Sequence, residues 1–316
     1  MSTPARPFQF LADARAPMPA LELAERARRA ESAGFHALVI PDHLLDQFSP
    51  VPAMAVIAAA TRRLRIGAFV LNNDLRHPAV LAQDLASLDV LSEGRLDVAI
   101  GAGWNDPEYE AIGLPFEPGA TRVDRLEEAV AVLKGCFGDG PFSFAGRHYR
   151  ITDHDAGPKP VQRPHPPFLI GGGGPRILRF AAREAQIVGL APTTAERGSG
   201  APPRFSLAAT RQQIGWVRER AGDRFDELVL NVYPSFYPVV LTDDPRAEAR
   251  RAADALRQRG TALTDDEVLE SAHLFIGSVD SLVAKFERLR AELGISSFMV
   301  GEVDELLAVV ERLAGC

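Results

Sequence analysis

Short runs of apolar residues recur along the chain at intervals of roughly 30 residues. The runs occupy residues 8–12, 37–40, 64–70, 96–100, 168–170, 187–190, 228–232 and 297–300. They are almost continuously apolar, which is typical of parallel strands buried on both faces. Between runs, apolar residues recur every three or four positions, as at Ala20, Leu23 and Ala27, and this spacing predicts helices. The pattern therefore predicts a repeated strand–helix unit.

Eight such units predict an α/β fold of the (β/α)8 TIM barrel type. Units of about 30 residues use roughly 240 of the 316 residues and leave room for insertions. The later helices are predicted at residues 121–137, 177–185, 207–221, 245–258 and 279–293, and an inserted hairpin at 142–152. We expect a single barrel domain over residues 1–316, with an open doubly wound sheet as the alternative.

Composition and charge exclude several classes of protein. The 35 Lys and Arg residues against 42 Asp and Glu give a net charge of -7, which argues against a nucleic-acid partner. The two cysteines, Cys136 and Cys316, have no metal-binding spacing, so no metal is expected. No run approaches the roughly 18 apolar residues of a membrane span, and residues 1–7 do not resemble a signal peptide. We therefore expect a cytoplasmic protein without a membrane partner.

In a barrel, chemistry is carried by the residues that directly follow each strand. The second predicted strand is followed by Asp42 and His43. A carboxylate beside an imidazole can orient the ring and shift its pKa towards neutrality, which suits a general acid or base. The alternative is an Asp helix cap followed by an exposed His.

The third and fourth strand exits suggest a seat for a flat ring. Asn72, after the third strand, offers a donor and an acceptor to a heteroaromatic edge, although Asn is also a favoured turn residue. Gly101, Ala102 and Gly103 leave space for a flat ligand, and Trp104 can form an aromatic wall. A tight turn with a core Trp is the alternative.

Four glycines follow the fifth strand. Gly171, Gly172, Gly173 and Gly174 precede a predicted helix, so their backbone N–H groups and the helix N-terminus predict a phosphate site, with a flexible turn as the alternative. Arg176 can add positive charge for an anionic tail, or lie at the surface. Residues 192–204 are predicted to be either a mobile loop on the ligand side of the barrel or plain disorder.

Several of these segments together resemble one enzyme family. They are Val-Ile-Pro-Asp-His at 39–43, His-Pro-Ala-Val-Leu-Ala-Gln at 77–83, Leu-Asp-Val-Leu-Ser-Glu-Gly-Arg at 88–95, Gly-Ala-Gly-Trp at 101–104 and Pro-Pro-Phe-Leu-Ile-Gly-Gly-Gly-Gly at 166–174. The chain resembles the luciferase-like family of flavin and deazaflavin oxidoreductases, and more narrowly its coenzyme F-420-dependent branch.

The resemblance implies a cofactor and roles for site residues. It implies coenzyme F-420, with FMN as the alternative, seated at the C-terminal mouth of the barrel. It places a non-prolyl cis peptide at Phe69–Val70 behind the ring, and it implies that His43, oriented by Asp42, polarises or protonates the substrate. Trp104 departs from the pattern, because some deazaflavin dehydrogenases have a Glu proton donor at this place.

The implied reaction is a hydride transfer between the deazaflavin and a small organic substrate. Two alternatives remain open: an FMN-dependent monooxygenase, and a flavin-binding barrel without turnover. The family also implies a homodimer.

Overall fold

The computed structural model describes residues 6–192 and 203–316. The described strands are β1 (Gln9–Asp13), β2 (Ala37–Ile40), β3 (Arg65–Ala68), β4 (Leu71–Asn72), β5 (Leu96–Gly101), β6 (Phe142–Ala145), β7 (Arg150–His154), β8 (Phe168–Gly172), β9 (Ile187–Leu190), β10 (Val229–Val232), β11 (Val240–Leu241), β12 (Ile276–Gly277) and β13 (Ile295–Glu302). The described α-helices are α1 (Ala20–Ser32), α2 (Pro50–Ala60), α3 (Pro78–Leu91), α4 (Asp106–Ala111), α5 (Gly119–Phe137), α6 (Pro175–Glu184), α7 (Leu207–Ala221), α8 (Pro245–Gln258), α9 (Asp265–Glu270), α10 (Val279–Leu293) and α11 (Leu307–Leu313).

The predicted barrel is confirmed. Strands β1, β2, β3, β5, β8, β9, β10 and β13 belong to one sheet, which the pairing of β3 with β5 closes into a ring. Each coincides with a predicted apolar run, and helices α7, α8 and α10 begin and end at the predicted residues. That the 316 residues form a single domain stays a prediction.

The chain divides into two compact units, the first of which comprises residues 1–13, 29–37 and 170–316. In it, β1, β13, β10, β9 and β8 lie side by side, and the pairs β1–β13, β10–β13 and β9–β10 are parallel. The rings of Phe286 and Phe298 pack with centroids 4.4 Å apart, and Phe10 lies 5.9 Å from Phe298. These buried aromatic rings anchor the helices to the strands in this part of the barrel.

The first unit also contains an insertion between β10 and α10, the α8–α9 insertion, defined as residues 237–277. It carries β11 and β12, which pair with each other in parallel, and the helices α8 and α9. Ala249, Leu256, Leu263 and Val268 are among the buried side chains of a separate hydrophobic cluster here. The insertion therefore packs around a separate hydrophobic cluster, to which Phe205, outside the insertion, also contributes.

The second unit comprises residues 14–28 and 38–169. It holds β2, β3 and β5, together with the β6–β7 hairpin, which confirms the predicted insertion near residues 142–152. The carboxylate of Glu128 in α5 accepts hydrogen bonds from the backbone N–H groups of Arg147, His148 and Tyr149 at 2.8–3.0 Å. These bonds tie the hairpin turn to α5.

Most of the segment 192–204, which the sequence leaves between a loop and disorder, lies outside the described residues. Within the described ranges, no helix combines the length and the apolar character needed to cross a membrane.

Candidate active site

Asp42 lies two residues after the end of β2 and is buried. Its Oδ2 accepts hydrogen bonds from Arg76 Nη1 at 2.6 Å and from the Asn72 backbone N–H at 2.9 Å, and its Oδ1 accepts one from Arg76 Nη2 at 3.0 Å. The expectation that Asp42 orients His43 is therefore wrong. The carboxylate instead fixes the chain that follows β3.

His43 is oriented by a different carboxylate. Its Nδ1 lies 2.8 Å from Oε1 of Glu108, a buried residue in the first turn of α4, and that oxygen also accepts a hydrogen bond from Asn105 Nδ2. Donation of the Nδ1 hydrogen to Glu108 leaves Nε2 as the basic nitrogen of a neutral imidazole. The His43 side chain is 25% exposed, so this dyad can meet a ligand.

Trp104 stands beside this dyad. Its ring meets the His43 ring edge to face, with centroids 5.5 Å apart, and it is 67% exposed. The alternative of a core Trp in a tight turn is therefore wrong. Trp104 presents an aromatic surface next to the imidazole, as an aromatic wall requires.

The non-prolyl cis peptide is at Phe69–Val70, as the resemblance implied. The Phe69 N–H donates to the Ile40 carbonyl at 2.9 Å, which joins this bond to the end of β2. Asn72 is buried, and its Oδ1 accepts a hydrogen bond from the Asp74 N–H at 3.1 Å. This is the contact expected of a turn residue, the alternative role that the sequence left open for Asn72. A contact between Asn72 and a bound ring stays a prediction.

A buried polar network supports the third and fourth strand exits. The Tyr109 hydroxyl lies 3.0 Å from both Asn72 Oδ1 and Asp74 Oδ2, and Arg125 forms an ion pair with Asp74 at 2.8 Å. Burial raises the pKa of Tyr109 to about 12, so its phenol stays protonated as a donor at neutral pH. The network holds the strand exits in place.

Packing accounts for the glycine that ends β5 and for the glycine two residues later. Gly103 has φ +73°, and a side chain there would overlap the Tyr109 hydroxyl. A Cβ on Gly101 would lie 2.9 Å from Val70 Cγ2. The Ala102 carbonyl accepts a hydrogen bond from Arg122 Nε at 3.3 Å. A ring seated against these residues therefore stays a prediction.

The glycine segment after the fifth barrel strand lies in the first unit. Gly171 and Gly172 end β8, and a Cβ on Gly172 would collide with Ile177 of α6. The Gly173 carbonyl accepts from Gln213 Nε2 at 3.0 Å. Gly174 is the N-cap of α6, with no side-chain cap and nothing within 4 Å of an added Cβ.

This end of α6 fits an anionic group. The helix begins with Pro175, so its first N–H groups belong to Arg176 and the residue after it, and they lie at the positive end of the helix dipole. The open space at Gly174 leaves room for a phosphate, which such a helix terminus can bind.

Comparison with known proteins places this geometry in a family. The profile of luciferase-like monooxygenases matches residues 2–300. The chain is 36% identical over 138 residues to an FMNH(2)-dependent dimethylsulfone monooxygenase of Pseudomonas putida, covering 44% of this chain and 38% of that protein. It is 33% identical over 170 residues to an F420-dependent glucose-6-phosphate dehydrogenase of Kineococcus radiotolerans, covering 51% and 50%. These matches span about half or less of each relative.

A solved structure agrees over nearly the whole chain. The coenzyme F420-dependent tetrahydromethanopterin reductase of Methanopyrus kandleri superposes with a TM-score of 0.76 at 19% identity, covering 98% of both chains. At this identity the likeness establishes the fold alone. The family profile covers almost all of the sequence, and this chain accordingly belongs to the luciferase-like monooxygenase family.

Proposed function

We propose that this enzyme is a coenzyme F-420-dependent oxidoreductase that transfers a hydride between the deazaflavin ring and a small organic substrate. The observation that carries the proposal is the His43–Glu108 dyad, part-exposed and beside Trp104. Hydride transfer to or from a carbonyl carbon needs a proton acceptor or donor at the oxygen, and an imidazole oriented by a carboxylate is suited to that task.

The residues at the strand exits form two groups, one that would contact the ring of the cofactor and one that would contact its phosphate. The ring would lie against Phe69, Val70, Gly101, Ala102, Gly103 and Trp104, with Asn72 near its polar edge. The phosphate would meet Gly171, Gly172, Gly173 and Gly174 at the start of α6, with Arg176 adding charge. Coenzyme F-420 supplies the two-electron hydride acceptor or donor when bound.

His43 and Glu108 perform the proton step. In the oxidative direction, His43 Nε2 accepts the proton of a substrate hydroxyl, and the Glu108 carboxylate stabilises the resulting imidazolium through Nδ1. In the reductive direction, the imidazolium returns that proton to the substrate oxygen. Asp42 acts by holding Arg76 and the backbone at Asn72.

FMN is the second candidate cofactor, since the Pseudomonas putida relative is named for FMNH(2). The two are separated by titrating the purified protein with coenzyme F-420 and with FMN under identical conditions, following ligand fluorescence. We expect coenzyme F-420 to bind more tightly by about tenfold or more. Equal or reversed affinities would overturn the choice of cofactor.

The dyad is tested by two variants and a matched control. A panel of primary and secondary alcohols is screened for reduction of coenzyme F-420, followed by the loss of its absorbance. His43→Ala should lower the single-turnover rate by about 10²–10⁴, with cofactor affinity within a few-fold, because a positioned acid or base contributes that much. Glu108→Gln should lower it less. Glu110→Gln, on the exposed face of α4, should leave it unchanged.

Turnover by His43→Ala at the wild-type rate would remove the proton role from this dyad. The homodimer implied by the resemblance and the cytoplasmic location expected from the sequence both stay predictions, and sedimentation velocity tests the first.

A further inference from the structure

Two arginines flank one aromatic ring beyond the end of β10. Phe236, four residues after Val232, is 45% exposed. The guanidinium carbon of Arg204 lies 5.0 Å from the Phe236 ring centroid, and that of Arg259, at the end of α8, lies 5.6 Å from it. Arg204 also lies 5.4 Å from the ring of Phe205, which meets Phe236 edge to face. All four residues belong to the first unit.

These two guanidinium groups lack a counter-ion within the described part of the chain. Neither forms an ion pair or a side-chain hydrogen bond there, and the Arg204 Nε is buried without a partner. Burial lowers the pKa of Arg204, although a guanidinium stays charged at neutral pH. Arg259 is exposed, whereas Arg204 is partly removed from water. Taking the Arg204 cation out of water without an anion is unfavourable, so this arrangement favours an anionic ligand.

The neighbouring arginines show that this is not a general feature of the α8–α9 insertion. Four carboxylates of α8 and α9 are already engaged by other arginines, in the pairs Arg246–Asp266, Arg250–Asp265, Arg251–Glu248 and Arg257–Asp254. Arg204 and Arg259 form no such pair among the described residues, and their guanidinium carbons lie close to the Phe236 ring.

The backbone beneath the two rings is also unusual. Phe205 has φ +68° and Phe236 has φ +64°, in the left-handed region that bulky residues rarely adopt. Residues held in such conformations cluster at ligand sites, where the surrounding structure fixes them. Here the conformation fixes two aromatic rings around one guanidinium.

We propose that Arg204, Phe236 and Arg259 form a binding subsite for an organic anion with a flat apolar body and a carboxylate or phosphate group. The guanidinium of Arg204 offers paired N–H donors to two oxygens of the anion, Arg259 adds a second charge, and the exposed face of Phe236 packs against the body. The anion belongs either to an acidic substrate or to the acidic tail of a cofactor. The subsite is an addition to the proposed function, and ligand binding to it can be measured without a deazaflavin.

The test uses phenyl phosphate as the probe and phenol as its neutral counterpart, titrated calorimetrically into the cofactor-free full chain. Wild type should bind phenyl phosphate saturably and phenol not at all. Arg204→Gln and Arg259→Gln should each weaken binding by about tenfold or more, the worth of a charge-assisted hydrogen bond. The matched control Arg257→Gln removes a charge of the same helix that is already paired, and should change affinity less than twofold.

The absence of saturable binding by wild type would overturn the proposal, as would an equal loss in Arg257→Gln. Thermal melts of all variants verify that each is folded, and Arg204→Lys should restore part of the affinity.

A second comparison identifies the source of the anion. If Arg204→Gln weakens coenzyme F-420 but not 8-hydroxy-5-deazariboflavin, which lacks the tail, the subsite takes the tail. If both deazaflavins bind as in wild type while phenyl phosphate is weakened, the subsite takes an acidic substrate. If phenyl phosphate binding is unchanged in both arginine variants, the subsite does not exist.

Discussion

Replacing Asp42 tests whether this residue acts on the substrate or holds the fold. Its side chain is 3% exposed and that of Arg76 is 23% exposed, so the pair is largely removed from water. In Asp42→Asn the amide oxygen can still accept from the Asn72 N–H. The amide nitrogen, however, would face a guanidinium that offers only donors.

The magnitude follows from the three hydrogen bonds that the carboxylate accepts. Breaking a fully buried ion pair costs about 3–5 kcal/mol. Because Arg76 retains some contact with water and one acceptor survives, we expect Asp42→Asn to lower the free energy of unfolding by about 3 kcal/mol. Arg76→Met should cost a similar amount, since it leaves the buried carboxylate without its partner.

Urea unfolding of wild type, the two single variants and the double variant gives the coupling energy. We expect the double variant to be more stable than additivity predicts by about 2 kcal/mol, because neither charge is then left alone. His43→Ala serves as the comparison and should cost about 1 kcal/mol or less, since its ring is part-exposed. Additive losses, or an Asp42→Asn variant as stable as wild type, would refute the positioning role of Asp42.

Two further predictions concern the glycine segment and pH. Gly172→Ala should destabilise the fold, because its Cβ would collide with Ile177. Gly174→Ala should fold normally and weaken cofactor binding. Thermal melting measures the first effect, and titration with the cofactor measures the second. The ring of His273 is hydrogen-bonded to the Tyr233 carbonyl, and burial lowers its pKa from 6.5 to about 4. Because the unfolded chain then binds the proton more readily, the free energy of unfolding decreases as pH falls below 6.5. Between pH 7 and pH 4, the free energy of unfolding of wild type should decrease by about 3 kcal/mol more than that of His273→Asn, at 1.36 kcal/mol per pKa unit. Identical pH profiles in urea unfolding would contradict this.

The barrel was predictable because strands buried on both faces must be apolar throughout, and the spacing of such runs is visible in the sequence. Helices α7, α8 and α10 were predictable to the residue because each starts at a capping side chain: Ser206, Asp244 and Ser278. The two-residue strands β11 and β12 are too short to show a period. Helix α9 begins with a capping box formed by Thr264 and Glu267, and this spacing in the sequence indicates the start of a helix.

The partner of His43 could not be found by the same means. Adjacency along the chain favoured Asp42, but successive residues at a strand exit point in different directions. The carboxylate that meets the imidazole is 65 positions away, on α4. Its sequence signal, a Glu in the first turn after Asn105 and Pro107, predicts a helix start and says nothing about what the side chain contacts.

The separate core of the α8–α9 insertion has an evolutionary consequence. A segment that packs around a separate hydrophobic cluster, shared only with Phe205 outside it, can change by mutation with little effect on the strands of the first unit. Arg259 lies within that segment, at the end of α8. Mutations in this segment can thus change the ligands that the proposed subsite accepts, while the strands of the barrel stay the same.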